Sequence, residues 1–264
     1  MNRIDRIFAE LRATGKKAIM PFICGGHPHP GLLGTILPAL ERGGASIVEI
    51  GIPFSDPIAD GPVIAAAMHE ALSAGATPLG IFQEVAEVRA RVSIGIVAMC
   101  SASIVHRMGG PGAFARLASK AGFDGLIVPD VPLEESADIR HAAKDEGMTC
   151  SLLVSPNSPA ERAGAILHAS TGFVYLMARS GITGEQRAAP SIAPAVEMLR
   201  AAGDLPIACG FGISSAAHVR AVVQDGGADA AIVGSALVKE LASAARRGDD
   251  PARFAETYTR SLTP

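Results

Sequence analysis

The sequence predicts a single (β/α)8 barrel with an extra N-terminal helix, and three observations carry that expectation. Short apolar runs alternate with longer helical patterns eight times along the chain. The runs are apolar on both faces, as expected of parallel strands covered on either side by crossover helices. The length of 264 residues suits one such barrel, which uses about 250. No shift in composition and no linker divides residues 1–264, so one barrel domain is expected.

Before the first strand, Ile4, Ile7, Phe8 and Leu11 follow the i, i+3, i+4, i+7 spacing of an amphipathic helix. Arg3, Asp5, Arg6 and Glu10 interrupt that segment, which therefore does not read as a secretory signal. Strands are expected at 18–23, 46–50, 94–99, 125–128, 149–154, 173–177, 206–209 and 229–233. Helices are expected near 31–43, 62–73, 78–91, 111–121, 134–146, 159–169, 190–202 and 215–225, with a last one after Ser235. Gly and Pro cluster just after strands, in GIPFSDPIADGP, PDVP, ARSGITG, GFGIS and VGSA. In a barrel those loops build the face that carries the active site. The segment from Ala178 to Pro190 is long, polar and Gly-containing, and reads as a lid.

Hydrophobic residues make up 48% and charged residues 19%, with a mean hydropathy of +0.31. A net charge of −3 and a pI near 6.2 give no footprint for nucleic acid or an anionic membrane. An anionic ligand must then be held by a local device. No apolar run approaches the roughly 20 residues that span a bilayer. Cys24, Cys100, Cys150 and Cys209 form no CxxC pair and read as reduced thiols of a cytoplasmic protein.

Glu49 is the sharpest chemical signal. It lies in SIVEI, flanked by apolar residues and sharing a face with Ile47 under strand alternation. Burying a carboxylate raises its pKa toward neutrality, where it can give and take protons. The bland alternative is a structural Glu held by an Arg or by backbone donors. Asp60 follows in a loop stiffened by Pro53, Pro57 and Pro62, so strand and loop together offer two carboxyls in different environments. Asp56 in the same loop serves equally well as a turn cap.

The loops SGITG at 180–184, GFGIS at 210–214 and VGSA at 233–236 form a second group. Glycine lets backbone N–H groups close on an anion, and a following helix N-terminus adds partial positive charge. Ser235 can donate its hydroxyl there and cap the helix. Lys16, Lys17, Lys120, Lys144 and Lys239 all miss the C-terminal ends of the expected strands, which argues against a Schiff base. Cys24, His27 and His29 lack a further cluster to complete a metal site, and no metal is expected.

These residues resemble the tryptophan synthase alpha family over roughly residues 4 to 245. VEIGIPFSDPIADGPVI at 48–64 is the specific match, and GLIVPDVPLEES, YLMARSGITG, GFGIS and VGSALV follow in order. The resemblance implies a TIM barrel lyase of tryptophan biosynthesis that cleaves indole-3-glycerol phosphate to indole and glyceraldehyde 3-phosphate. It implies Glu49 as the proton donor and acceptor, with Asp60 stabilising charge at the indole nitrogen. By position, Gly184, Gly212, Gly234 and Ser235 bind phosphate, while Phe22, Ile64, Ile127, Tyr175 and Phe211 line the indole pocket. Thr183 and Arg179 match the family's lid loop, and Ala178 stands where Ser is common. The chain itself needs no cofactor on this reading. Pyridoxal phosphate belongs to a beta subunit, the expected partner in an α2β2 heterotetramer. The protonated indole ring supplies the electron sink that a lyase without lysine or metal requires.

Two stretches depart from the family. CGGHP at 24–28 replaces a common Thr-Ala-Gly-Asp-Pro, and MCSASIVHRMGG at 99–110 lacks the usual Tyr and Asn-Pro. Loss of the Pro predicts a more flexible loop there, and both stretches bear on partner recognition more than on chemistry. The alternatives are another phosphate-binding barrel isomerase or aldolase, or a non-catalytic alpha-like subunit. Intact Glu49 and Asp60 argue against the latter.

Overall fold

A computed structural model of the chain describes residues 1–57, 60–179 and 191–263. Aliphatic runs become nine strand segments: β1 (Ala18–Cys24), β2 (Ile47–Gly51), β3 (Gly95–Met99), β4 (Gly125–Ile127), β5 (Thr149–Cys150), β6 (Leu153–Val154), β7 (Val174–Met177), β8 (Ile207–Gly210) and β9 (Ala230–Val233). Every pairing is parallel, in the order β5-β4-β3-β2-β1-β9-β8-β7-β6. Only Ser151 and Leu152 separate β5 from β6. Ser151 donates its N–H to the Leu126 carbonyl at 3.0 Å, and the Tyr175 N–H reaches the Leu152 carbonyl at 3.0 Å. The two segments are one stave, and the sheet closes through it as an eight-stave barrel.

The helices among the described residues are α1 (Arg3–Ala13), α2 (Leu33–Arg42), α3 (Pro62–Ser73), α4 (Pro78–Val88), α5 (Ala102–Arg107), α6 (Pro111–Ala121), α7 (Ala137–Asp145), α8 (Ala160–Ala169), α9 (Ala193–Ala202), α10 (Ala216–Arg220), α11 (Ser235–Arg247) and α12 (Pro251–Leu262). Pro62, Pro78, Pro111 and Pro251 start four of them, where the missing N–H costs nothing. The outward faces of the strands, such as Val48 and Ile50, pack with the helices in one large core, while Ile47, Val97, Ile127 and Tyr175 fill the barrel interior.

The N-terminal helix closes the bottom of that interior. Ile4 and Phe8 of α1 join the interior cluster with Met20, Ile47 and Phe173. Arg12 is held by the Asp229 carboxylate at 3.0 Å, and Asn2 donates to the Asp124 and Gly147 carbonyls at 2.9 and 2.8 Å. The C-terminal ends of the strands are left for the site.

Three stretches differ from the sequence expectation. Residues 102–107, expected as a flexible loop, form α5. Ser101 caps it by accepting the Ser103 N–H at 3.1 Å, and Asp130 accepts the Ala102 N–H at 2.9 Å. Two side-chain caps order a segment too short to show a helical period. The helix expected at 215–225 ends as α10 followed by a π-helical turn, Ala221–Asp225. The C-terminal helix is two helices, broken at Gly248, whose φ of +77° favours glycine.

Candidate active site

Glu49 sits in mid-β2, in register with Phe22 of β1 and Val97 of β3. Alternation with Val48 and Ile50 turns it inward, where it is fully buried. Among the described residues neither carboxyl oxygen has a hydrogen-bond partner. Burial pushes its pKa up to about 8. With no compensating donor, the neutral acid is the stable form at pH 7.

Asp60 approaches from the loop after β2, its N–H bonded to the Pro57 carbonyl at 3.0 Å. Gly61 and Pro62 begin α3 directly behind it. Burial raises its carboxyl to about 6. Asp56 is exposed, accepts the Ser55 hydroxyl at 2.7 Å, and takes no part in the same cavity.

Both acids line a cavity of about 620 Å³ at the C-terminal mouth of the barrel. Of the residues expected to bind substrate, Phe22, Ile64, Tyr175, Phe211, Gly212, Gly234 and Ser235 share its wall. Ile127 is the exception. It lies fully buried in the interior beneath, and Met99, its neighbour across the β3–β4 register, lines the cavity. Thr183 and Gly184 fall outside the described residues. Met99, Pro129, Leu153, Ile213, Ile232 and Ala236 complete the wall and went unnamed from sequence. The inward parity of Glu49, carried across the strand registers, would have found Met99, Leu153 and Ile232.

Two glycines give the aromatic walls their room. A Cβ on Gly51 would stand 2.5 Å from Cζ of Phe22, and one on Gly210 would collide with the Tyr175 hydroxyl. Tyr175 meets Phe211 edge to face, with ring centroids 6.0 Å apart.

Phe211 and Gly212, both on the cavity wall, take positive φ, 74° and 85°. Such a conformation is rare for a phenylalanine and marks a turn constrained by its surroundings. Beside it, Gly234 precedes α11, a 13-residue helix with no side-chain cap. The first N–H groups of such a helix lack intrahelical partners and carry its positive end. No Lys or Arg lines the cavity among the described residues. Among the described residues, the donors placed for an anion here are these backbone N–H groups and the Ser235 hydroxyl.

The histidine cluster does not assemble. Nε2 of His27 meets Glu70 at 3.1 Å, and Nδ1 of His29 lies 3.0 Å from the Pro30 carbonyl. Among the described residues no group of three or more His, Cys, Asp or Glu is placed to hold a metal, and no helix is long and apolar enough to cross a membrane.

A closed parallel barrel whose mouth holds a buried neutral acid, a second carboxyl and an uncapped helix start is the architecture of a barrel enzyme. The model of the tryptophan synthase alpha chain family matches residues 8–262. A tryptophan synthase alpha chain from Synechococcus sp. strain CC9902 is 42% identical over 238 residues, covering 90% of this chain and 88% of the relative. One from Rhizorhabdus wittichii is 39% identical over 265 residues, covering 99% and 97%. The crystal structure of tryptophan synthase subunit alpha from Legionella pneumophila superposes with a TM-score of 0.87 at 31% identity, covering 99% of this chain and 97% of that one. Tryptophan synthase from M. tuberculosis in its aminoacrylate-bound form gives a TM-score of 0.85 at 31% identity, covering 99% and 98%. The chain belongs to the tryptophan synthase alpha chain family, carbon–carbon lyases that cleave indole-3-glycerol phosphate and need no cofactor of their own.

Proposed function

We propose that the cavity cleaves indole-3-glycerol phosphate with Glu49 as its acid and base and Asp60 as its electrostatic partner. The observation that carries this reading is a fully buried carboxyl without a partner, raised to about 8, in a cavity that also holds an uncapped helix start. Glu49, protonated at neutral pH, gives its proton to C3 of the indole ring. The ring becomes a cation centred on its nitrogen, and the ionised Asp60 stabilises that charge. Glu49, now a carboxylate, accepts the proton of the hydroxyl on the adjoining glycerol carbon. The carbon–carbon bond breaks, and its electron pair neutralises the ring. Indole and an aldehyde leave, and Glu49 has its proton again.

The phosphate is assigned to Gly212, Gly234 and Ser235, with Gly184 completing the group on the family pattern and Thr183 belonging to the lid loop. Phe22, Ile64, Tyr175 and Phe211 hold the ring, and Ile127 supports it from below. Pyridoxal phosphate is assigned to a beta subunit, paired with this chain as α2β2. Four buried free cysteines support a reducing, cytoplasmic setting.

Glu49→Gln keeps the size of the side chain and removes the titrating proton. Indole release by the purified chain should fall by at least ~10² while circular dichroism is unchanged. Near-normal release by a folded variant would overturn the assignment. Turnover of a sugar phosphate lacking the indole, without release of indole from indole-3-glycerol phosphate, would favour another barrel aldolase or isomerase.

A further inference from the structure

A second space, about 400 Å³ with its opening to solvent counted, forms a chamber beside the catalytic cavity. Ile52, Phe54, Met68, Cys100 and Ser101 wall it, and Asp60, Met99 and Pro129 are common to both spaces. Gly212, Gly234 and Ser235 line the cavity and not the chamber. Among the described residues the two spaces therefore meet away from the anion-ready helix start. Asp56 and Asp130, both exposed, mark the outer rim.

The pose of the ring in this cavity follows from the function proposed above. With the phosphate at Gly234, Glu49 at C3 and Asp60 at the ring nitrogen, the ring edge that bears the nitrogen is turned toward the shared wall. C7 is the benzo carbon next to that nitrogen, whereas C4 lies beside C3. A group on C7 points past Asp60 toward Met99 and the chamber. A group on C4 points back toward the glycerol chain and Glu49. Met99 is only partly buried, and an unbranched thioether with three rotatable bonds gives way easily. Behind it the chamber offers Ile52, Phe54 and Met68, a wall for small apolar or halogen groups.

We propose that this chamber is a substrate subsite gated by Met99, which accepts a small apolar or halogen substituent at C7 of the indole and offers no room to one at C4. Met99 and the chamber, not the catalytic acids, then set which ring-substituted substrates the chain takes.

The test is titration calorimetry with a non-cleavable analogue, an indole carrying a three-carbon phosphate chain at C3 without hydroxyls, and its 7-methyl and 4-methyl derivatives. Each affinity is read as a ratio to the unsubstituted analogue in the same variant, so a general loss of binding cancels. In the unaltered protein the 7-methyl derivative should bind about fourfold tighter, the worth of one buried methyl, and the 4-methyl at least about tenfold weaker. Ser101→Leu fills the chamber from its outer wall and should lower the 7-methyl ratio by about tenfold without moving the 4-methyl ratio. Met99→Ala should carry the same tolerance on to a 7-isopropyl group. Equal penalties at C4 and C7, or a 7-methyl ratio unmoved by Ser101→Leu, would overturn the proposal. Cleavage of indole-3-glycerol phosphate is assayed beside it. Cleavage with flat ratios removes the subsite alone, and a C7 preference without cleavage removes the functional reading and leaves the subsite.

Discussion

At neutral pH Glu49 keeps its proton because it is buried and no donor among the described residues stabilises the anion. That single group links stability to pH in a definite direction. Below about 4.5 the folded and unfolded chains both carry the proton. As pH rises toward about 8 the unfolded chain releases it and the folded chain retains it. Stability therefore falls by about 1.4 kcal/mol per pH unit across that window and levels off above it. Glu49→Gln removes the slope, so its stability advantage over the parent should be near zero at pH 4.5 and about 3 kcal/mol at pH 7. Urea unfolding at a series of pH values measures this, and a constant difference would mean that Glu49 has the same pKa in the folded and unfolded chains. The same two carboxyls shape the rate. The acid must be protonated and Asp60 ionised, with folded values of about 8 and about 6. The expected kcat/KM profile is a bell with limbs near those values. In Asp60→Asn the acidic limb should vanish along with most of the activity.

The elements divide cleanly into those the sequence displays and those it hides. β2 is legible because a charged residue interrupts an aliphatic run, and α3 because Pro62 follows a turn-rich loop. α5 is hidden, since six residues make fewer than two turns and its order comes from caps at Ser101 and Asp130. Met99, Leu153 and Ile232 are hidden for another reason. Strands buried on both faces are apolar at every position, so alternation does not tell inside from outside until the register is known. The positive φ of Phe211 has no sequence signature, because only a glycine would announce it. α11 was legible as a helix start behind Gly234 and Ser235, and it carries the phosphate prediction. Gly234→Asp places a carboxylate at the helix N-terminus. There it suits the free helix by about 0.3–1 kcal/mol but repels an incoming anion. Inorganic phosphate or glycerol phosphate should raise the melting temperature of the parent and leave that of the variant unmoved. Equal shifts in both would put the anion elsewhere.

On the scale of the whole molecule, everything assigned to chemistry lies at one end of the barrel, while α1 seals the other with Ile4 and Phe8. A partner that reaches the reaction must therefore dock on the face made by the loops that follow the strands. The proposed partner is a beta subunit, and in the family the loops after β2 and β3 meet it. In this chain the first of those loops keeps its proline frame, whereas the second carries Ser101, Ala102, Ser103 and Ile104 in place of the usual Tyr and Asn-Pro. The structure changes the reason this matters. The stretch is a capped helix pinned to Asp130 and not a loosened loop, so ordering entropy is not the obstacle. What differs is the surface offered. Ser103, His106 and Arg107 are exposed, and Ile104 is turned into the core. Large anchors usually supply most of the affinity of an interface, and a helix presenting a small hydroxyl and two polar basic residues supplies few. A beta subunit shaped for the usual Tyr and Asn-Pro should bind this chain at least about tenfold more weakly than the beta subunit of its own organism, a difference of about 1.4 kcal/mol, and should stimulate indole release less. Calorimetric titration and indole-release rates with both beta subunits give the comparison. Equal affinity and equal stimulation by the two would show that α5 is not what this chain uses to recognise its partner.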